Sequence, residues 1–341
     1  MKLQLISRST HSRFADPVSR ETGRMLGGAL LGEQPGVTLP EWPVQRIAAP
    51  LLGASEPLVQ ETWLAGQMVT AGSSEGIAWC RAGNLLYGVI DLDEAAFVSA
   101  RECSPLQAAS QEAYRRIFRL LDAQGLPHLW RVWNYLADIN GESHGLERYR
   151  QFNIGRQDAF LDGHRGATGN VPAACAIGLA GGPLSIAFMA GDQPAVPVEN
   201  PRQVSAYNYP ADYGPRSPTF SRAALVYLPG QEILFVSGTA SIVGHRTVHP
   251  DDVVGQTREA LANVAAVVAE ASRVCRTGAY ALAELSYRVY VRHADDFPRV
   301  RETLQPLIGA ASEIVYVQAD ICRHDLLLEI EAMASHGLGN C

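Results

Sequence analysis

Two stretches of this chain read alike, and that likeness constrains the fold more than any other feature. Residues 177–190 and 321–334 align without a gap, 144 positions apart. Ile177 meets Ile321, Leu184 meets Leu328, Ile186 meets Ile330, Met189 meets Met333 and Ala190 meets Ala334. Each stretch closes a run of elements in the same order. The first run opens at Ser104-Pro105-Leu106-Gln107, where Ser, a following Pro and Gln three positions on spell a helix start. Tyr114, Ile117, Phe118 and Leu121 at helical spacing predict the helix, and Gly125 its end. A strand is expected over 130–137, a second helical segment near 146–152, and an apolar closing stretch over 171–190.

The second run opens at His249-Pro250-Asp251-Asp252, and Leu261, Val264, Ala265 and Val268 predict a helix ending near Gly278. Tyr287, Val289 and Val291 alternate with Ser286, Arg288 and Tyr290, which predicts a strand over 282–291. A helix over 297–307 and strands over 314–317 and 326–334 follow. The expected class is α+β: two copies of one unit, each a mixed sheet with helices packed on one face. The expected division is 1–198 for the first half and 223–341 for the second, with 199–222 between them.

The two copies differ in chemistry. Where the second has Glu329 and Cys322, the first has Ser185 and Gly178. A scaffold does not need that difference. A carboxylate within Leu326-Leu327-Leu328-Glu329-Ile330 is costly to bury unless it is paired or used. Glu331, two residues on, shares its strand face and is a partner or an alternative actor. Taken alone, Cys322 reads as a small buried apolar residue. The stretch 199–222 is rich in Pro, Tyr and Arg, with little apolar periodicity. Its stiff, hydroxyl- and guanidinium-bearing residues suit a folded binding loop better than a flexible linker.

Composition narrows the function. The 341 residues are 47% apolar and 18% charged, enough for about two domains. A net charge of −7 argues against nucleic acid as a partner. Of 28 basic residues only Lys2 is a lysine, so neither a P-loop lysine nor an internal Schiff-base lysine exists. The remaining arginines suit recognition of carboxylate or phosphate, or reflect base composition. The six cysteines, Cys80, Cys103, Cys175, Cys275, Cys322 and Cys341, show no C-x-x-C spacing. No targeting or membrane-spanning segment is apparent, so a cytoplasmic setting with reduced thiols is expected. His245 and His249 are separated from one helical face by Pro250, which argues against a metal pair. His324 beside Cys322 offers a Cys–His pair, without the rest of a triad.

Leu234-Phe235-Val236-Ser237-Gly238-Thr239-Ala240, Gln256-Thr257-Arg258 and Glu329-Ile330-Glu331-Ala332-Met333-Ala334 resemble the RidA/YjgF fold. Within that superfamily the chain resembles the chorismatases from about residue 75 onward. The residues that carry this are Trp133-Asn134-Tyr135-Leu136-Ala137-Asp138-Ile139-Asn140, Tyr149-Arg150-Gln151-Phe152-Asn153, Gly155-Arg156-Gln157, the 199–222 loop and Gln318-Ala319-Asp320-Ile321-Cys322-Arg323-His324-Asp325. The resemblance implies two RidA/YjgF-like (chorismate-mutase-like) halves with one active site, no metal and no cofactor. It implies chorismate as substrate, with Glu329 protonating the enolpyruvyl group. Cys322, seven residues earlier, matches the cysteine of members that form 3-hydroxybenzoate; a further subgroup also makes 4-hydroxybenzoate. A small residue in the Gly238–Ala240 turn varies between subgroups, which makes Gly238 and Ala240 expected substrate contacts. Arg148, Arg156 and Arg216 are the expected partners of the two substrate carboxylates, with Tyr207 and Tyr213 as hydroxyl donors. Surface ion pairing is the alternative for each arginine. RidA-like domains associate in threes, so a monomer or homotrimer is expected. The alternative functions are a RidA-like imine or enamine hydrolase and a non-catalytic binder of aromatic metabolites.

Overall fold

Two six-stranded sheets of the same topology carry the duplication. They are seen in a computed structural model that describes residues 2–10, 24–34, 36–97, 103–309 and 312–338; Cys341 lies outside these. The first sheet runs in the order Ala173–Leu179, His128–Ala137, Leu184–Gly191, Leu85–Leu92, Ile77–Ala82, Thr70–Ser74. The second runs Ile314–Gln318, Ser286–Val291, Leu328–Gly337, Gln231–Thr239, Ala223–Leu228, Val196–Val198. In each, the first two strands pair in parallel and the rest antiparallel. Two helices follow the same plan in each half: α1 (Pro105–Gln124) and α2 (Arg148–Asp162), then α3 (Val253–Val274) and α4 (Phe297–Ile308).

The helix signals act as expected at α1. Ser104 Oγ accepts from the Gln107 amide at 3.1 Å, and Gly125 ends the helix at φ 65°, a conformation that favours glycine. In α2 the sequence reading is too short, because the helix continues to Asp162. Its buried face mixes Gln151, Asn153 and Arg156 with Phe152, Ala159 and Phe160, so no apolar stripe announces it. The strand expected over 282–291 starts only at Ser286, after a 3-10 turn at Leu282–Glu284.

The N-terminal segment departs most from the reading of 1–198 as one half. It forms a separate four-stranded sheet, Leu3–Thr10, Leu58–Ala65, Met25–Leu31, Val44–Ile47. Met25–Leu31 is buried along its whole length, so it lacks the alternation that marks a half-exposed strand. The second sheet also begins earlier than 223, with the edge strand Val196–Val198 ahead of the loop.

Helices cover the outer faces of the two large sheets. Their inner faces and the small sheet enclose a common core. One aromatic from each sheet meets there: Trp63, Trp133 and Phe235, with ring centroids 6.0–6.5 Å apart. Beside them lies a buried polar network. Arg288 pairs with Glu61 and, at 3.0 Å, with Glu331, which also pairs with Arg131. Tyr135 and Tyr290 share a 2.5 Å hydrogen bond, and Tyr290 donates to Glu331 at 2.9 Å.

Strand register settles which residues of the two halves correspond. Ser185 stands opposite Tyr135, and Glu329 opposite Tyr290, so the Ser185–Glu329 equivalence is structural. The Gly178–Cys322 pairing is not. Gly178 lies opposite Leu136, and the matching place opposite Val291 belongs to Gln318. Residues 179–183 then lead to Leu184, whereas the longer 319–327 leads to Leu328. Cys322 therefore sits in an enlarged loop of the second half, and the gapless alignment of 177–178 with 321–322 is coincidental.

Candidate active site

A cavity of about 370 Å³ opens between the two halves, close to Glu329. Its size lies within the range of small-molecule sites. The edge strand of the first sheet contributes Ala174, Cys175 and Ala176, and α2 contributes Tyr149, Arg150 and Arg156. The enlarged loop contributes Cys322, Arg323, His324 and Asp325.

Glu329 is 4% exposed. Burial, and then the charge of Glu331, raise its pKa to about 8, against the opposing pull of Arg131 and Arg222. At neutral pH the carboxyl holds its proton. Cys322 Sγ lies 3.9 Å from Glu329 Oε2. Burial and Glu329 push the thiol up to about 12, so it is a neutral donor rather than a thiolate. That weakens a Cys–His nucleophile formed with the exposed His324.

Gly238 makes room for this carboxyl. The pairing of Gln231–Thr239 with Leu328–Gly337 slips between Val236 and Thr239, a bulge that brings Gly238 against Glu329. A Cβ at this position would collide with the carboxyl. Ala240 lines the same wall.

The loop 199–222 is folded, with 3-10 turns at Ala206–Asn208 and Ala211–Tyr213. It supplies Tyr209, Tyr213, Phe220 and Arg222 to the cavity. Tyr213 donates to the His245 carbonyl at 2.6 Å. Arg222 lies over the rings of Tyr209 and Phe220 and donates to the Tyr209 hydroxyl at 2.7 Å. Arg323 stacks 4.1 Å from the centre of the Tyr213 ring. Arg156, Arg222 and Arg323 each retain a buried nitrogen without a protein acceptor. All three guanidinium groups border the cavity, where they would present fixed positive charge to a bound carboxylate.

Of the residues singled out in the sequence, Glu329, Cys322, Arg156, Tyr213, Gly238 and Ala240 meet at this cavity. Three others do not line it. Arg148, the first residue of α2, is held by the Ala137 carbonyl at 2.9 Å and by Glu94 at 2.5 Å. Arg216 is 45% exposed at its side chain and pairs with Asp158 at 3.1 Å, so it acts as a surface ion pair. Tyr207 stands outside, and Tyr209 occupies the wall instead. Sequence reasoning did not single out Arg222, Arg323, Tyr149 or Tyr209. Arg222 and Tyr209 lie inside the loop flagged by composition, and Arg323 follows Cys322.

Comparison with known proteins finds relatives over most of the chain. The family described as "Chorismatase FkbO/Hyg5-like, N-terminal" matches residues 61–190. A protein named chorismatase from Streptomyces rapamycinicus is 39% identical over 285 residues, which cover 81% of this chain and 82% of the relative. A 3-hydroxybenzoate synthase from Streptomyces hygroscopicus is 34% identical over 338 residues, 94% of each chain. A chorismatase crystal structure superposes with a TM-score of 0.85 at 32% identity, covering 98% of both chains. With the duplicated sheets, the arginine-lined cavity and these relatives in agreement, the chain belongs to the chorismatase family.

Proposed function

We propose that this enzyme converts chorismate to 3-hydroxybenzoate and pyruvate. The observation that carries the reading is the protonated Glu329 carboxyl, set beside the Cys322 thiol in a cavity bordered by Arg156, Arg222 and Arg323. The two products together contain the atoms of chorismate, so the conversion consumes neither water nor an oxidant. Its difficult step is proton transfer to the enol-ether methylene carbon. Glu329, on a rigid strand, is the acid for that step.

Protonation creates an oxocarbenium-like centre on the side chain. The adjacent ring hydroxyl then attacks the ring carbon that bears the ether, the carbon–oxygen bond to the keto acid breaks, and the hydroxyl proton returns to the Glu329 carboxylate as the epoxide forms. Loss of a ring proton as the epoxide opens restores aromaticity. Cys322, in contact with Glu329, relays the proton from the ring carbon to the epoxide oxygen during that opening and favours the 3-hydroxy product. The 4-hydroxy isomer is the second outcome of the same opening. Arg156, Arg222 and Arg323 hold the two substrate carboxylates, which moves these roles away from Arg148 and Arg216. The five described cysteines are unpaired, which suits a reducing, cytoplasmic setting.

Incubation of the purified protein with chorismate alone tests this. The expected result is equimolar pyruvate and hydroxybenzoate by chromatography; undiminished chorismate would refute it. Cys322→Ala is expected to lower the 3-hydroxybenzoate share while pyruvate release changes little. An unchanged product ratio would remove the steering role.

A further inference from the structure

Two side chains hold the enlarged loop 319–327 from outside the cavity: Gln256 donates to the Asp325 carbonyl at 2.9 Å and accepts from the Leu327 amide at 2.8 Å, and Arg292 holds the part that carries Cys322. Arg292, next after the strand Ser286–Val291, does not line the cavity. All five N–H bonds of its guanidinium find acceptors. Nε donates to the Leu326 carbonyl at 2.8 Å. One terminal nitrogen donates to Asp320 Oδ1 at 2.5 Å and Asn140 Oδ1 at 3.1 Å. The other donates to the carbonyls of Ile321 at 3.2 Å and Arg323 at 2.8 Å. Three of these five acceptors are backbone carbonyls of the segment that carries Cys322. No other cationic side chain has the planar fork that this arrangement uses.

The first half shows what the clamp is for. There the register gives Arg292 a counterpart in Ala137, and the corresponding loop is the shorter 179–183. The clamp thus accompanies the longer loop. A second restraint supports it: Gly178 and Asp320 exchange backbone hydrogen bonds of 2.8 and 3.0 Å, an approach that a Cβ at Gly178 would block. These contacts set the start of the loop, and Arg292 sets its course through Cys322 to Leu326.

We propose that Arg292 is a positioning residue for product choice, folding residues 320–326 so that the Cys322 thiol stays against Glu329. This rests on the chorismate reading above and deepens it. Losing the fork leaves the Ile321 and Leu326 carbonyls without their donor and the Arg323 carbonyl with the Leu326 amide alone, and both Cys322 and Arg323 then shift. Glu329 lies on a separate strand and keeps its place.

The test measures products, kcat for pyruvate release and KM for chorismate in Arg292→Met and Arg292→Lys, with a thermal melt as the folding control. Arg292→Met is expected to lower the 3-hydroxybenzoate share as Cys322→Ala does, to raise KM through Arg323, and to keep kcat within about tenfold of the parent. Arg292→Lys keeps the charge without the fork and is expected to fall between parent and Met. If the Met variant does not fold, the Lys variant alone decides. In the Cys322→Ala background, Arg292→Met is expected to leave the product ratio unmoved, because it acts through the thiol. Without any substrate, iodoacetamide should label Cys322 faster in both variants, read by peptide mass spectrometry. A folded variant with the parent's product ratio, an additive shift in the double variant, or unchanged labelling overturns the clamp. A parent protein that leaves chorismate intact overturns the chorismate reading, and the product role with it; active parent with unmoved variants overturns only the role of Arg292.

Discussion

Glu329→Gln is expected to leave a folded chain whose pyruvate release is lower by about 10²–10⁴-fold, the usual contribution of a positioned general acid. The substitution keeps the shape and removes the transferable proton, so the loss should fall on kcat more than on KM. The same carboxyl sets the pH dependence. Its acid form is the active one, and its pKa is raised to about 8. The parent rate should therefore hold through neutrality and fall as pH rises through about 8. A rate that instead rises across that range would remove Glu329 as the acid.

Stability follows the same proton. In the unfolded chain this carboxyl has its ordinary value of 4.5, and in the folded chain about 8. The folded state therefore binds the proton more tightly, a contribution present below 4.5 and lost as pH rises to about 8. Glu329→Gln carries no ionisable group there. Its melting temperature should gain on the parent's between pH 5 and pH 8, which a pair of thermal melts measures.

Arg288→Met is expected to destabilise the fold by about 3–5 kcal/mol, because it leaves buried carboxylates short of their cation. Glu61, from the N-terminal sheet, loses its ion-pair partner, and the Tyr135 hydroxyl loses a donor at 2.8 Å. Glu331 keeps Arg131. The melting temperature should fall by roughly 4–7 °C. Adding Glu61→Met removes the stranded charge and should restore much of the loss, since well-packed apolar groups can replace a buried ion pair at little cost. If the double variant is no more stable than the single one, the damage lies in packing rather than charge.

Much of the fold was legible because its elements are amphipathic. Ser104 and Gly125 bound α1, and Tyr287, Val289 and Val291 mark their strand by alternation. Where burial is complete or polar, that signal fails. Met25–Leu31 has no solvent face to alternate with, and α2 buries Gln151, Asn153 and Arg156 among its apolar residues. The expected place of Cys322 failed for another reason. A gapless alignment cannot register a lengthened loop when the flanking residues are alike by chance.

The amino-acid sequence alone determined the duplication, the helices with clear caps, and the acid Glu329 in one copy where the other has Ser185. These are local properties, carried by periodicity and residue type. Tertiary structure decided the rest: which arginines face the cavity, how Glu331 and burial hold a proton on Glu329, and how Arg292 shapes a loop it precedes by many residues. A guanidinium on a surface helix and one in a cavity look identical in sequence. Their roles diverge only when folding sets the distance to a partner and removes the water between them.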